Sequence, residues 1–269
     1  GLLVMNEKPR LAIQVLQRLK KVKTITSRTL GFQFAPLLNA AGRLVDADMA
    51  VHFLLSDDLQ EAESMAQKLD ATNLERRKKE AEMLETAVAL AEAQQEEPAL
   101  ILTSSDFHEG VNGIVATRLV ERFYKPVLIL SESDSSVYDE KRLKGSGRSI
   151  PELHLKDAFS ACSDLMLRFG GHAAAAGCSL LPEKLGEFRE RFFAFCQKNI
   201  PESIEPKLQL DGCLDFPNLT NLLVNSGKSR IPSICKFGSS VSGICCRQKA
   251  KNRSRNSPNF SGSKLHPAA

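Results

Sequence analysis

The strongest constraint on the fold is a strand–helix–strand pattern at residues 99–131. The segments ALILTSS (99–105) and KPVLILS (125–131) are short, continuous apolar runs, which are typical of buried strands, and GIVATRLVERF (113–123) between them has a helical apolar period. Two strands joined by a helix within about 30 residues form a βαβ unit with parallel strands and a right-handed crossover. The chain is therefore expected to contain an α/β domain with a mixed, partly parallel sheet.

A long helix is predicted immediately before this unit. Ser56 is suited to its N-terminal cap, and an apolar stripe continues from Ala62 to about residue 95. The middle of the helix, TNLERRKKEAE (72–82), is polar on nearly every side and is expected to cross solvent. At 1.5 Å per residue the helix could reach roughly 55 Å, a length that favours a connection between two domains.

The remaining segments have weaker patterns. Residues 30–44 are apolar but interrupted by glycine and proline, so no single element is expected there. Residues 142–150 are expected to form a short strand that runs into a glycine-rich turn. The other expected elements are helices at 9–23, 157–167 and 182–199 and strands at 178–181 and 207–216.

Charge is distributed unevenly along the chain. Residues 225–269 contain nine of the 36 basic residues and none of the 32 acidic ones, so the net charge of +4 comes entirely from this tail. Any nucleic-acid site in residues 1–224 must therefore be a local basic patch on an acidic body. The serine-rich tail has no hydrophobic period, which predicts a disordered or out-of-frame segment, although a basic arm that binds nucleic acid is the alternative.

Cysteine usage and hydropathy indicate the compartment. The seven cysteines are odd in number and show no C-x-x-C spacing, which favours reduced thiols in a cytoplasm over a disulfide framework. No window approaches 18 apolar residues, so no membrane partner is expected. Tryptophan is absent and tyrosine occurs twice, so no aromatic platform for stacking bases is visible.

Four short stretches pair glycine with polar or cationic residues. Glycine lets a ligand approach the backbone, and arginine offers a planar fork that binds phosphate through two hydrogen bonds. KGSGRS is the best candidate for binding an anion; the alternative is a glycine turn with a solvated arginine. The stretches are NAAGR (39–43), DFHEGVNGIVATR (106–118), KGSGRS (144–149) and FGGH (169–172).

Metal binding and proton transfer have less support from the residues themselves. His108 and His172 have no further ligand at metal-binding spacing, so no metal site is expected in this chain. Asp106, His108 and Glu109 form a compact cluster that could transfer protons, but a polar helix cap explains them equally well.

In this order, the four stretches resemble the RecJ family of bacterial single-strand-specific exonucleases, within the DHH phosphoesterase superfamily. The resemblance extends from residue 1 to about residue 224. It implies a chain with α/β architecture that is a fragment of a longer product, cut at both ends. The implied divisions are the C-terminal remnant of a DHH domain (1–55), a connecting helix (56–97), a DHH-associated domain of the GGH type (98–200), the start of an OB-type domain (201–224) and the tail (225–269).

The resemblance also implies a function and a set of site residues. Members are 5′→3′ exonucleases that act on single-stranded DNA in repair and recombination, and the strand lies in the cleft between the two domains. Arg43 would face the scissile phosphate, and Asn39 and His108 are further candidates. The residues expected to bind nucleic acid are Arg118, Ser146, Arg148, Ser149, Gly170, Gly171 and His172.

The family's metal chemistry is expected to be absent from this chain. Such enzymes use two Mn²⁺ or Mg²⁺ ions, and their metal-binding aspartates and DHH triplet lie upstream of the matched region. The chain alone is therefore expected to be inactive, with a DHH domain supplied by a separate or upstream chain. Two alternatives remain: a module that only binds nucleic acid or phosphate, and another DHH phosphodiesterase acting on short RNA or cyclic dinucleotides.

Three positions depart from the family pattern. Leu37 stands where an arginine is usual, Phe107 replaces a tryptophan, and Asn112 replaces an aliphatic residue.

Overall fold

A computed structural model of the chain describes residues 1–134, 141–201 and 204. Residues Gly1–Ile204 form one compact unit, and residues 205–269 lie outside the described residues. The predicted strand at 207–216 and the tail at 225–269 therefore lie outside the described residues. Within the described ranges, no helix combines the length and apolar character needed to cross a membrane.

The N-terminal part of this unit is helical. Its apolar side chains meet in a core that includes Leu16, Leu37, Phe53 and Leu69, which belong to four different helices. The predicted helix at 9–23 is confirmed with shorter bounds. The elements are α1 (Leu2–Glu7), α2 (Leu11–Leu19), α3 (Ser27–Thr29), a π-helical turn (Leu30–Phe34), α4 (Ala35–Leu44) and α5 (Asp48–Leu55).

Residues 30–44 form two elements, the π-helical turn and α4, as the prediction that no single element would form there allows; the helical structure that runs without a break from residue 27 to residue 44 was not predicted. The π-helical turn joins α3 to α4, with the Ala35 N–H donating to the Leu30 carbonyl. Pro36 lies in the first turn of α4, where its missing N–H is tolerated. The wider turn and the proline position together let helical structure pass through a segment that looks broken in sequence.

The predicted long helix is confirmed as α6 (Leu59–Glu92), whose 34 residues span about 51 Å. Its N-terminal cap is Asp58, whose side chain accepts the Glu61 N–H at 2.8 Å. Ser56, the predicted cap, instead donates its hydroxyl to a Glu61 carboxylate oxygen at 2.9 Å. The first half of α6 packs on α2, α4 and α5, and its second half packs on the α/β region.

The polar middle of α6 is not solvated on every side, contrary to the prediction. Asn73 and Glu80 within it are buried. Glu80 accepts hydrogen bonds from Arg76, one turn away, and from Arg118 of the following helix, at 2.7 Å each. Burial of a carboxylate is tolerated here because two guanidinium groups neutralise and bond it.

The predicted βαβ unit is confirmed. It consists of β1 (Leu100–Ser104), α7 (Glu109–Phe123) and β2 (Val127–Asp134). Strands β1 and β2 are parallel and in register from the Leu100–Val127 pair to the Ser104–Ser131 pair.

Three further strands complete a five-stranded mixed sheet in the order β1-β2-β3-β5-β4. All pairs other than β1–β2 are antiparallel. The strand predicted at 178–181 begins three residues earlier, and its hairpin partner β4 was not predicted. The remaining elements are β3 (Lys141–Arg148), α8 (Leu155–Ser160), a 3₁₀ turn (Ser163–Leu165), β4 (Arg168–Gly171), β5 (Ala175–Leu180), a 3₁₀ turn (Pro182–Lys184) and α9 (Leu185–Asn199).

Residues 144–148 belong to strand β3, so the predicted glycine-rich turn was wrong. Gly145 and Gly147 point to the core, where a Cβ at Gly145 would lie 2.6 Å from Cys178 Sγ and one at Gly147 would lie 2.8 Å from a methyl group of Leu155. These positions are glycine because the core packs closely against the strand, and not because the chain turns there. The face of the sheet that they occupy packs on α8 and α9 through a cluster that contains three phenylalanines: Phe159, Phe188 and Phe192.

Candidate functional site

A groove of about 780 Å³ lies on the other face of β3, β5 and β4, beside the N-terminus of α7 and the C-terminal end of α4. Helix α7 packs over β1, β2 and β3 on this face, and β5 and β4 extend beyond it. Cationic residues lining the groove come from α4 and from two of the strands. They are Arg43, Arg142, Lys144 and Arg168.

Strand alternation puts the polar residues of β3 on this face. Successive strand residues point to opposite faces, so Arg142, Lys144, Ser146 and Arg148 share one face while the intervening leucine and glycines point to the core. Ser146 is paired with Gly177 of β5, which is paired in turn with Gly170 of β4. The floor of the groove is therefore formed by Ser146 and by a row of two glycines, Gly177 and Gly170, which have no side chains to cover the strands.

Helices α4 and α7 touch at one edge of the groove. Arg43 Nη1 donates to the Gly110 carbonyl oxygen at 3.0 Å. A Cβ added at Gly110 would lie 1.9 Å from the Arg43 carbonyl oxygen, so a residue with a side chain cannot be accommodated without separating the two helices. Gly110 thus allows the arginine at the end of α4 to reach the groove.

Arg148 lies beside Ser146, with Nη1 3.3 Å from the serine Oγ and 2.8 Å from the Gly147 carbonyl oxygen. Burial of its guanidinium lowers the pKa of Arg148 from its ordinary value, and the positive charge of Arg43 lowers this pKa further. Arg43 lines the groove, whereas Arg148 is not among the lining residues and lies between Gly113 of α7 and Ser146, which does line it. Such a pair of cations favours an anion between them.

The one acid among the described residues that line the groove is Glu109, in the first turn of α7. Its carboxylate is 2.8 Å from Lys144 Nζ, and both side chains are about half exposed. The rest of the described lining is cationic, hydroxyl-bearing or small, with Phe169, Cys178 and Asn112 as exceptions.

The residues of the FGGH stretch have different roles: one glycine lines the groove, and the other is required by the backbone conformation. Gly170 lines the groove and has open space where a Cβ would lie. Gly171 has φ +145°, and a Cβ there would be 2.4 Å from the Ala175 carbonyl oxygen, so it is required by the β4–β5 connection. His172 is exposed just beyond β4, and its backbone N–H donates to Ala175 at 2.8 Å.

Of the four other candidates, three have local partners. Arg118 donates to buried Glu80 of α6 and is not among the residues that line the groove. Ser149 donates its hydroxyl to the Leu153 carbonyl oxygen at 2.9 Å. His108 caps α7, where its Nδ1 accepts the Gly110 N–H at 3.2 Å, as the helix-cap alternative expected. Asn39 is exposed on α4, one turn before Arg43.

Several residues of the groove were not identified from the sequence as site residues. The strict alternation of polar and small or apolar residues at 142–148 was a usable signal for Arg142 and Lys144, but glycine content led to the interpretation as a turn. Arg168, Gly177 and Ser179 had no comparable local signal, because their positions depend on the pairing of β5 with β3 and of β4 with β5.

The positions that depart from the family pattern are all buried. Leu37 and Phe107 pack in hydrophobic clusters. Asn112 is a buried residue of the groove lining, and its Nδ2 donates to Ser131 Oγ at 3.0 Å.

A divalent metal does not fit the described residues. No group of three or more His, Cys, Asp or Glu in the described ranges could hold a metal ion. The cationic groove would also repel one. The three cysteines in the same part of the chain, Cys162, Cys178 and Cys196, are free and buried.

Comparison with known proteins shows what this chain is similar to. The DHHA1 domain family matches residues 96–198. The single-stranded-DNA-specific exonuclease RecJ of Bacillus subtilis (strain 168) is 37% identical over 206 residues, which are 75% of this chain and 26% of that protein. The enzyme of the same name from Dickeya dadantii (strain 3937) is 40% identical over 206 residues, or 73% of this chain and 35% of that protein.

Solved structures agree with these matches. RecJ of Thermus thermophilus in complex with Mg²⁺ superposes with a TM-score of 0.66 at 30% identity, covering 76% of this chain and 31% of that one. An exonuclease RecJ bound to manganese gives a TM-score of 0.63 at 30% identity, covering 74% of this chain and 48% of that one. The chain spans about a quarter to a third of the length of the two curated relatives. The chain therefore contains a DHHA1 domain at residues 96–198 and is similar to part of the RecJ proteins over about three quarters of its length.

Proposed function

We propose that the groove binds the sugar–phosphate backbone of single-stranded DNA, as the substrate-gripping part of a RecJ-like 5′→3′ exonuclease that acts in repair and recombination. The observation that carries this proposal is the pair of Arg43 and Arg148. Arg43 lines the groove and Arg148 lies beside Ser146, which also lines it; burial lowers the pKa of Arg148, and the positive charge of Arg43 lowers this pKa further. A phosphate bound by both guanidinium groups would offset the repulsion between them.

Within this proposal, Ser146 and Arg148 hold the terminal phosphate, and Arg43 faces the next bond from the side of α4. Ser146 already lies 3.3 Å from Arg148 Nη1, so a hydroxyl and a guanidinium can bind the same phosphate. Arg118 could join them only by releasing Glu80. If the terminal phosphate binds here, the end of the strand lies at Ser146 and Arg148 and the rest of the strand extends away from them along the groove.

The bare row formed by Gly170 and Gly177 supports a ligand that lies close to the sheet. A Cβ at Gly170 would have open space, and one at Gly177 would be 3.5 Å from the Gly145 carbonyl oxygen, an ordinary contact. The packing therefore does not require glycine at either position. We infer that the row is bare so that a sugar or phosphate can approach the strands, with His172 available at the end of β4.

We also propose that this chain does not hydrolyse DNA by itself and acts with a DHH domain on a separate or upstream chain. Its described residues offer no metal site, whereas similar proteins have been solved with Mg²⁺ and Mn²⁺. No metal-dependent step is therefore assigned to its residues. The test is a nuclease assay of the purified chain with Mn²⁺; cleavage above an EDTA control would contradict the proposal.

Binding to a 5′-phosphorylated oligo-dT tests the groove. Arg43→Ala and Arg148→Ala should each weaken binding by about ten- to hundredfold, since a charge-assisted hydrogen bond contributes about 1.5–3 kcal/mol. The slope of log K against log salt should fall by about 0.7 for each phosphate that the variant no longer neutralises.

Arg28→Ala is the matched control, because Arg28 is exposed on α3 away from the groove lining. It should change neither the affinity nor the slope. Unchanged affinity and slope in both groove variants would show that the proposal is wrong.

A further inference from the structure

We propose that the groove contains a second phosphate subsite, formed by Lys144, Ser179 and Arg168, next to the first subsite of Arg43, Ser146 and Arg148. This inference rests on the proposed function, since the two subsites would take consecutive phosphates of one single strand. Lys144, Ser179 and Arg168 all line the groove, on three adjacent strands.

Strand register brings the three residues of the second subsite together. Lys144 of β3 is paired with Ser179 of β5, and Ser179 is paired with Arg168 of β4. Paired residues point to the same face, and neighbouring strands lie about 4.8 Å apart. The Cα atoms of Lys144 and Arg168 are therefore about 10 Å apart, and both long side chains can reach a group placed over Ser179.

Two of these side chains lack a partner within the described part of the chain. Ser179 is 8% exposed, and its hydroxyl makes no hydrogen bond to any described residue, although the residue lines the groove. Arg168 is exposed and forms no ion pair with a described residue. Because Ser179 lines the groove, a phosphate oxygen placed over the strand would accept the proton of its hydroxyl.

Lys144 is held by Glu109, with 2.8 Å between Nζ and the carboxylate oxygen. A phosphate in the second subsite would compete with this carboxylate for the ammonium group. Since both side chains are about half exposed, the exchange requires no change in the core. Glu109 thus lowers the affinity of the subsite without blocking it.

The spacing of the two subsites fits a nucleic-acid strand. The row of Ser146, Gly177 and Gly170 is two residues along the strands from the row of Lys144, Ser179 and Arg168. At about 3.3 Å per residue the rows are about 7 Å apart. This is comparable to the separation of neighbouring phosphates in an extended single strand, so one strand can occupy both rows.

Two small ligands separate the subsites: thymidine 5′-monophosphate, with one phosphate, and the 5′-phosphorylated dinucleotide pTpT, with two. Titration calorimetry with the full chain should show that Arg168→Ala weakens pTpT about tenfold and leaves the monophosphate unchanged. Ser179→Ala should weaken pTpT about threefold, and Glu109→Gln should strengthen it. Arg148→Ala should weaken both ligands, and Arg28→Ala neither.

The outcomes distinguish the two proposals. If Arg148→Ala weakens both ligands while Arg168→Ala binds pTpT like the unsubstituted chain, the second subsite is wrong and the proposed function stands. If Arg168→Ala weakens both ligands equally, Arg168 acts on the first subsite and a separate one is excluded. If neither ligand binds the unsubstituted chain, the proposed function fails first.

Discussion

Gly113 of α7 lies directly beneath the guanidinium of Arg148 of β3. A Cβ added at Gly113 would be 2.7 Å from Nη2 of Arg148 and 3.0 Å from Oγ of Ser146. Both atoms are at the ends of side chains that can move, so the close approach affects the groove and not the backbone. The missing side chain at Gly113 therefore sets the position of the two groups proposed to bind the terminal phosphate.

Gly113→Ala should reduce binding without reducing stability. The new methyl group would displace the Arg148 guanidinium and the Ser146 hydroxyl, and we expect several-fold weaker binding of 5′-phosphorylated oligo-dT. Alanine is a better helix former than glycine, so the free energy of unfolding should stay constant or rise by up to about 1 kcal/mol. Chemical denaturation and fluorescence anisotropy measure the two quantities; equal affinity would show that the arginine position is unimportant.

Gly170 and Gly171 are adjacent but should respond in opposite ways. Gly171→Ala should lower the free energy of unfolding by about 1–3 kcal/mol or more, because φ is +145° and the added Cβ would contact backbone at 2.4 Å. Gly170→Ala should leave stability unchanged, since its Cβ would meet open space, and should weaken oligo-dT binding. Thermal and chemical unfolding of the matched pair, with the binding assay on Gly170→Ala, provides the check. A stable Gly171→Ala variant would contradict the backbone requirement.

Arg118 should contribute mainly to stability. Its guanidinium bonds Glu80, whose side chain is 9% exposed, although the arginine itself is half exposed and the bond is partly screened. Arg118→Ala should therefore lower the free energy of unfolding by about 1 kcal/mol and leave the salt slope of DNA binding unchanged.

Arg122→Ala is the matched control for Arg118, because the Arg122–Glu92 pair is about half exposed on both sides and should contribute less. A salt slope that falls by about 0.7 in Arg118→Ala would instead place this arginine on a phosphate.

Burial of Cys178 predicts a pH-dependent stability. Desolvation raises the pKa of the Cys178 thiol to about 12. In the unfolded chain the thiol ionises at its ordinary pKa near 9, so above that pH the folded state binds more protons than the unfolded state and stability falls as pH rises. Each such thiol changes the unfolding free energy by up to about 1.4 kcal/mol per pH unit.

The slope of unfolding free energy against pH between about pH 9.5 and pH 11 should therefore be smaller in Cys178→Ala than in the unsubstituted chain. The comparison of slopes is insensitive to any constant loss of stability caused by the smaller side chain. Identical slopes would show that the thiol ionises freely in the folded state.

Much of the fold was predictable from local patterns. The continuous apolar runs at 99–105 and 125–131 identified the parallel pair β1–β2, because such runs must be buried on both faces. The long helix α6 was equally evident. The turn expected at 144–148 shows the limit of this reasoning: glycine is typical of turns, but Gly145 and Gly147 are there because Cys178 and Leu155 leave no room for a side chain.

The sequence predicted which kinds of residue would form the candidate site better than it predicted where in the fold they would lie. Glycine next to a cation identified Arg43, Ser146, Arg148 and Gly170, which lie in or beside the groove. The same reasoning included Gly171, where glycine is required by the backbone conformation of the β4–β5 connection. It missed Arg168, whose position depends on the pairing of β4 with β5.

The sequence by itself determined the order and type of most elements and the cationic, glycine-rich stretches, because periodicity and residue chemistry are properties of each segment alone. The tertiary structure decided which of these residues meet. Arg43 and Arg148 are far apart in the chain, and they act on each other because Gly110 lets α4 touch α7 and Gly113 lets Arg148 lie against the same helix. Close contacts of this kind depend on the surfaces of several elements at once, which no local pattern records.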